Sequence, residues 1–328
     1  MNTSAELFPW LEPAWDKLQV KIRSQQFPHG IIIAGPKGIG KNQLASYLSQ
    51  TLLCQSPQSN GPCGQCHSCQ WFQSENHPDF YPVFPEGKSE SIKVDAIREL
   101  CRSLVFTSHA GGFKVGLIHS AERMNLNAAN SLLKSLEEPT PNTVFILVAN
   151  QASQLPATIR SRCQIYQIQN LDQTQALAWL AEHQVNEPEM HLRAAQGAPL
   201  IAKEMAANNT LSVKSQVFTE FVSVMKGSHT FLTLVSAWEK LDLSQLYLWL
   251  SHWISDLIKS KFHTNPVYLS QPEQQAVYDQ LNKFLELTLL FNSYELVTQA
   301  ARLQHTSANK QLTLEKLLIQ FNTHSRNR

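Results

Sequence analysis

The stretch Ile31–Asn42, IIIAGPKGIGKN, constrains this chain more than any other. Ile31, Ile32 and Ile33, three β-branched residues in a row, read as a strand buried on both faces, and Leu44, Leu48 and Leu52 then recur at helical spacing. Strand, glycine-rich turn and helix form the frame of a phosphate-binding loop, G-x-x-x-x-G-K-[ST]. Gly35, Gly40 and Lys41 stand in register, with Gly38 between them, while Asn42 takes the Ser/Thr place. The glycines let backbone N–H groups converge on an anion at the helix N-terminus, and Lys41 adds a point charge. The missing hydroxyl is the group that holds Mg²⁺. Asn42 offers only a neutral carbonyl oxygen, so the frame predicts descent from phosphate-loop proteins rather than a working hydrolase. A tight strand-to-helix turn with no ligand is the plainer reading of the same residues.

At 328 residues the chain has room for two or three domains with buried cores. A hydrophobic share of 43% against 16% charged residues is that of a globular protein and indicates neither disorder nor a membrane protein. No apolar run approaches a membrane span, and Met1–Phe8 is too polar for a signal peptide, so a cytoplasmic protein is expected. A formal net charge of +1 excludes a strongly basic nucleic-acid binder. Any DNA contact must be local or shared with partners.

Four of the six cysteines crowd into one segment, as Cys54, Cys63, Cys66 and Cys69. In a cytosolic chain such clustering points to metal rather than to a disulfide framework. The overlapping C-x₂-C steps of CGQCHSC let paired thiolates approach one ion from tight turns, and four thiolates close a tetrahedral shell around Zn²⁺. An iron–sulfur site is the alternative, although its usual run continues to a fourth Cys followed by Pro. His67 and His77 are possible substitute ligands. A shell of four sulfurs leaves no position for water, so the role is structural, in a small lobe pinned to the end of the phosphate-loop helix.

The remaining elements follow from periodicity. Trp10, Leu11, Trp15, Leu18 and Ile22 form an apolar stripe on a short helix, and Pro78–Ser91 contains a short strand. A helix is expected over Ile92–Leu104 and a buried strand over Val115–Ile118. In an active phosphate-loop ATPase that strand ends in acids that hold Mg²⁺. Here it ends in His119 and Ser120, with Glu122 out of register. Asn127–Glu138 reads as a helix stopped by Pro139, with Glu137 and Glu138 in the last turn, where the helix dipole disfavours negative charge. They are either a solvated helix end or face a cationic partner. Buried strands follow at Val144–Val148 and around Ile165, Tyr166 and Ile168. Between these two strands lie Ser161, Arg162 and Cys163. Taken alone, Arg162 is a surface charge and Cys163 a small buried residue, with no partner that would make it a nucleophile.

Repeated strand–helix units make residues 1–170 a parallel α/β domain with helices on both faces. A few short helices over 171–209 and longer amphipathic helices over 210–328 complete the chain. The longer helices are apolar on more than one side, as in a bundle that also packs against neighbours.

The cysteine module after the phosphate-loop helix, the run NAANSLLKSLEEP, the SRC triplet at 161–163 and the all-helical last third together resemble the AAA+ clamp-loader family. The resemblance implies an ATPase-like α/β domain, a small helical lid and a helical collar domain of a pentameric ring. It makes Arg162, flanked by Ser161 and Cys163, an arginine finger that stabilises charge on ATP held by a neighbouring subunit. Active members carry Ser/Thr at Asn42, an Asp-Glu pair at His119 and Ser120, and a lid arginine where Gly197–Ala202 has none. The expectation is therefore a non-catalytic subunit of the DNA polymerase III clamp loader. It would join gamma/tau-type and delta-type subunits in a hetero-pentamer, reach the sliding clamp indirectly and meet primer–template DNA through the ring. Zinc is the expected structural cofactor. The retained Lys41 leaves ATP binding at Gly35, Gly38 and Gly40 open. An active gamma-type ATPase and a zinc-bearing DNA-binding module are the alternatives.

Overall fold

The computed structural model describes residues 7–24, 27–87, 91–169, 171–227, 231–262, 265, 268–303 and 309–326. Residues 1–6, most of the segment judged too polar for a signal peptide, lie outside these, as do 88–90 in the stretch after the short strand. The chain divides into two compact units, Met1–Asn208 and Asn209–Arg328.

The first unit is built on a five-stranded parallel sheet of β1 (Gly30–Ala34), β2 (Phe80–Val83), β3 (Lys114–Ile118), β4 (Thr143–Ala149) and β5 (Gln164–Gln167). Their spatial order is β2-β3-β4-β1-β5. Every residue of β1, β3 and β4 is buried, as parallel strands covered on both faces require. Ile32, Ala34, Ile118, Phe145 and Leu147 alternate onto one face, where they pack with α4 (Val94–Ser103) and α5 (Leu126–Glu137). The opposite face meets α2 (Lys41–Leu53). Asn125 caps α5, its side chain accepting the Ala128 N–H.

Trp10, Leu11, Trp15 and Leu18 are buried as their spacing predicts, in a short 3₁₀ turn and α1 (Glu12–Arg23). Helix α3 (His67–Gln73) carries the last cysteine of the cluster. A four-residue helix, α6 (Ala157–Arg160), precedes β5, and α7 (Gln173–Glu182), α8 (Pro188–Ala194) and α9 (Pro199–Ala207) close the unit. The loop between α4 and β3 is held by two buried charges. Asp79 accepts from Ser108 Oγ and the N–H groups of His109 and Ala110, and Lys114 Nζ donates to the carbonyls of Leu104 and Phe106 and to Thr140 Oγ1.

The second unit is all helical: α10 (Thr210–Met225), α11 (Phe231–Trp238), α12 (Leu243–Lys261), α13 (Gln275–Asn282), α14 (Leu287–Leu303) and α15 (Lys310–Arg326). Phe221, Trp253, Tyr278 and Phe321 form the aromatic heart of its core. Asp256, fully buried, ties α12 to the following turn through Ser270 N and Oγ and Gln271 N. Leu248, Phe291, Tyr294, Leu312 and Ile319 remain exposed on α12, α14 and α15. No helix among the described residues is long and apolar enough to cross a membrane.

Candidate functional site

The phosphate loop leaves the C-terminal end of β1, at the sheet edge where α/β folds bind ligands. Gly38 (φ +80°) and Gly40 (φ +88°) are left-handed, so both positions need glycine for backbone reasons alone. Each is also crowded. A Cβ on Gly38 would stand 2.4 Å from Ile201 Cγ1, and one on Gly40 2.5 Å from Phe8 Cδ2. Leu200 N–H, at the start of α9, donates to the Gly38 carbonyl at 3.1 Å, and Trp10 Nε1 donates to the Ile39 carbonyl at 2.9 Å. Phe8 and Trp10 stack at 4.9 Å and both meet Trp179 edge-on, beneath the Lys203 ammonium. Helix α9 thus sets the apolar Ile201 against the loop.

Inside the loop Lys41 is turned back on the protein. Its ammonium donates to the Pro36 carbonyl at 2.6 Å and to Asn150 Oδ1 at 3.1 Å. Burial lowers its pKa to about 8, partly opposed by the Glu122 carboxylate. Asn150 in turn donates Nδ2–H to Glu122 Oε1 at 2.7 Å, while Glu122 Oε2 is buried with no partner among the described residues. Glu122 is out of register in the sequence. The 3₁₀ turn Ala121–Arg123 nevertheless swings it back to the phosphate-loop edge.

The two positions where an active relative would bind Mg²⁺ are bonded to each other. His119 Nδ1 lies 3.0 Å from Asn42 Oδ1, an oxygen that only accepts, so Nδ1 carries a proton in this contact. Burial pushes its pKa down to about 4, which selects the neutral form, and the ring stacks on Phe84 at 4.3 Å.

Arg162 sits at the other end of the sheet. It precedes β5, and a Cβ on Gly30, where β1 begins, would stand 3.2 Å from the Arg162 carbonyl. The phosphate loop starts beyond the far end of that five-residue strand. At about 3.3 Å per residue the separation is on the order of 15 Å, longer than an arginine side chain. The side chain is 34% exposed. Its Nε and Nη2 donate to Glu137 Oε1 at 2.9 and 2.5 Å, and its Nη1 donates to the Thr158 carbonyl and Ser161 Oγ. Cys163 packs against Gly30, and burial raises its thiol to about 12, so it is an inert packing group.

Cys54, Cys63, Cys66 and Cys69 converge, with all four sulfurs within 4.8 Å of one another. Individual separations are 3.5 Å (Cys54–Cys63), 3.8 Å (Cys54–Cys66) and 3.9 Å (Cys63–Cys69). Backbone N–H groups of Cys63, Cys66 and Cys69 donate to the sulfurs of Cys54, Cys63 and Cys66. Donors at Gln65 and Cys66 pull the Cys63 thiol down to about 6, whereas burial raises Cys54 and Cys69. The lobe is pinned from outside: Gln19 and Arg23 donate to the Ser59 carbonyl, and Trp15 and Tyr47 to that of Asn60. His77 is not a ligand, being bonded to Ser68 Oγ and the Asp79 N–H. His67, beside Trp71, is not in the cluster either. These four sulfurs can together hold one metal ion.

Residues 10–172 match the family model described as DNA polymerase III, delta subunit, and residues 208–323 match its C-terminal counterpart. The DNA polymerase III subunit delta′ of Pseudomonas aeruginosa is 33% identical over 97% of this chain and 98% of that one. The chain belongs to the delta′ family. The subunit delta′ of Haemophilus influenzae is 33% identical over 78% of each chain. Among solved structures, a DNA polymerase III gamma subunit-related protein of Thermotoga maritima aligns with 95% of this chain at 18% identity and a TM-score of 0.48. For a delta′-family chain the sequence missed three things: Ile201 against Gly38, the return of Glu122 to the loop, and the pairing of Arg162 with Glu137. Only the last had a signal, the carboxylates placed at the wrong end of α5.

Proposed function

We propose that this chain is a non-hydrolysing subunit of a DNA polymerase III clamp loader, and that its chemical contribution is Arg162, offered to ATP held by an adjacent subunit. One observation carries this reading: the partly exposed Arg162 stands at the opposite end of the sheet from its own phosphate loop, so it serves no nucleotide in its own chain. A planar guanidinium suits phosphoryl oxygens, and an arginine supplied in trans can accelerate phosphoryl transfer by several orders of magnitude.

The chain's own loop fits the complementary half of the proposal. Asn42 and His119 use their polar atoms on each other, Lys41 is bonded to Pro36 and Asn150, and the apolar Ile201 packs against Gly38 at the start of α9, where Gly197–Ala202 has no arginine. Gly35, Gly38, Gly40 and Lys41 then form a structural turn. Glu122, next to Lys41, is the one observation that favours an active ATPase. It is engaged with Asn150, and no second metal-holding oxygen accompanies it at His119 or Asn42 in a form free to bind.

In this reading residues 1–170 are the ATPase-like domain, 171–209 the lid, and 210–328 the collar. The exposed Leu248, Phe291 and Leu312 would be covered by other collar helices. Partners would be the gamma/tau-type and delta-type subunits, with the clamp and primer–template DNA reached through the ring in the cytoplasm. The metal would be zinc. Four thiolates at about 2.3 Å from one ion at tetrahedral angles stand roughly 3.8 Å apart, which the sulfur separations match. An iron–sulfur cluster would need them spread around several metal atoms.

Co-purification with the other loader subunits tests the assignment. The assembly should hydrolyse ATP in response to DNA, the assembly lacking this chain should do so far less, and the isolated chain not at all. ATP hydrolysis by the isolated chain at the rate of a loader ATPase would overturn it.

A further inference from the structure

Glu137 occupies a position that its own helix disfavours. It is the last residue of α5, where the unpaired carbonyls make the local potential negative and disfavour an acidic side chain. Twenty-five residues further along the chain, Arg162 spans back to it. Both donors on that edge of the guanidinium, Nε and Nη2, go to the single oxygen Oε1, at 2.9 and 2.5 Å. The opposite edge is bonded too: Nη1 donates to the Thr158 carbonyl at 2.9 Å and to Ser161 Oγ at 3.1 Å, and Ser161 Oγ itself donates to the Thr158 carbonyl at 3.1 Å. A guanidinium has five N–H donors in one plane. These contacts use four of them, fixing that plane from two sides and leaving one Nη2–H uncommitted among the described residues. The side chain remains 34% exposed and that of Glu137 49% exposed, so the arrangement is open to an incoming anion.

A surface ion pair contributes little to stability, because water screens the charges and two long side chains must be ordered. Four hydrogen bonds on one partly exposed side chain are therefore poorly explained as a stabilising device, and well explained as a means of holding a reactive group in one orientation. Misplacing such a group by about 1 Å can cost two orders of magnitude in rate.

We propose that Glu137 is the positioning residue of Arg162: it sets the plane of the guanidinium and the direction of its free Nη2–H, so that the arginine meets a neighbour's terminal phosphate already oriented. The proposal rests on the reading of Arg162 as a group acting in trans. Glu137 touches no nucleotide and acts only through Arg162. The neutral isostere glutamine keeps the accepting oxygen and orients the guanidinium nearly as well, whereas alanine leaves Nε and Nη2 without a partner.

The test uses the reconstituted complex containing full-length E137A, E137Q, R162A or the E137A/R162A pair, with DNA-stimulated ATPase measured against ATP concentration. E137A should lower kcat about tenfold with KM for ATP changed less than about threefold, since it removes transition-state rather than ground-state contacts. E137Q should recover most of that loss, and the double variant should match R162A alone. Assembly and the Tm of each isolated chain serve as controls, and if E137A does not assemble, E137Q alone should still stay within about threefold of wild type. Full kcat in E137A beside an impaired R162A overturns the positioning role and leaves the trans reading standing. E137Q impaired as severely as E137A, or a double variant slower than R162A by the full E137A factor, also overturns it. An unimpaired R162A overturns the reading on which it rests.

Discussion

His119 donates to Asn42 across 3.0 Å, bringing together the end of β3 and the start of α2 at the two positions from which a phosphate-loop ATPase holds its metal. Polar atoms that satisfy one another have no call on Mg²⁺, whose nearly ideal octahedral shell needs oxygen ligands in place. Any nucleotide affinity of the isolated chain should therefore be the same with Mg²⁺ as without it. Calorimetric titration of ATP in excess Mg²⁺ and in excess EDTA checks this; tightening by tenfold or more with the metal would contradict it.

The same histidine carries a pH signature. Its native pKa of about 4 lies below the ordinary 6.5, because the buried ring resists charge. As pH falls below 6.5 the unfolded chain takes up the proton first, so stability is lost progressively down to about pH 4 and is unaffected above the window. The ring is half-buried and partly screened, so this contribution is on the order of 1–2 kcal/mol. Thermal unfolding should show Tm falling between pH 6.5 and 4, with a shallower fall in H119F, which keeps the stack on Phe84. Parallel slopes for both proteins would remove His119 as the cause.

Gly38 is doubly constrained, by φ +80° and by Ile201 at 2.4 Å from any added Cβ. G38A should destabilise by about 1–3 kcal/mol, of which the left-handed backbone accounts for roughly 1–2. Adding I201A should relieve the crowding and leave only the backbone cost. Chemical denaturation measures all three proteins; an unaltered midpoint for G38A would contradict the close packing of α9 on the loop.

The cysteine lobe should contain one zinc per chain. Four sulfurs at these separations close the shell, and without the ion the loop from Cys54 to Cys66, tied to α1 and α2 through the Ser59 and Asn60 carbonyls, should lose order. C63S, or prolonged chelation, should release the metal, lower Tm by several degrees and open the 54–69 segment to protease. Iron in the purified protein, or zinc well below one equivalent, would contradict the assignment.

Much of this was legible in the chain itself. Ile31–Ile33, Val115–Ile118 and Val144–Val148 declare buried parallel strands because a doubly covered strand needs uninterrupted apolar residues. CGQCHSC foretells converging sulfurs because its spacing is what one tetrahedral ion would require, and the four sulfurs do converge. What stayed hidden depends on side chains meeting from distant segments. Glu122 follows its strand by four residues, and only the 3₁₀ turn brings it to Asn150. Ile201 is an ordinary helical apolar residue until α9 lands on Gly38. Glu137 stood out as a carboxylate at the wrong helix end, yet nothing local to it names Arg162 as the cation that answers it.

Whether Arg162 serves ATP held by another subunit is decided by the DNA-stimulated ATPase of the reconstituted loader with R162A in place of the wild-type chain. Assembly should be unchanged, because the side chain is partly exposed and its ion pair with Glu137 is a surface one, while the rate should fall at least tenfold. An intact complex hydrolysing ATP at the wild-type rate would contradict it.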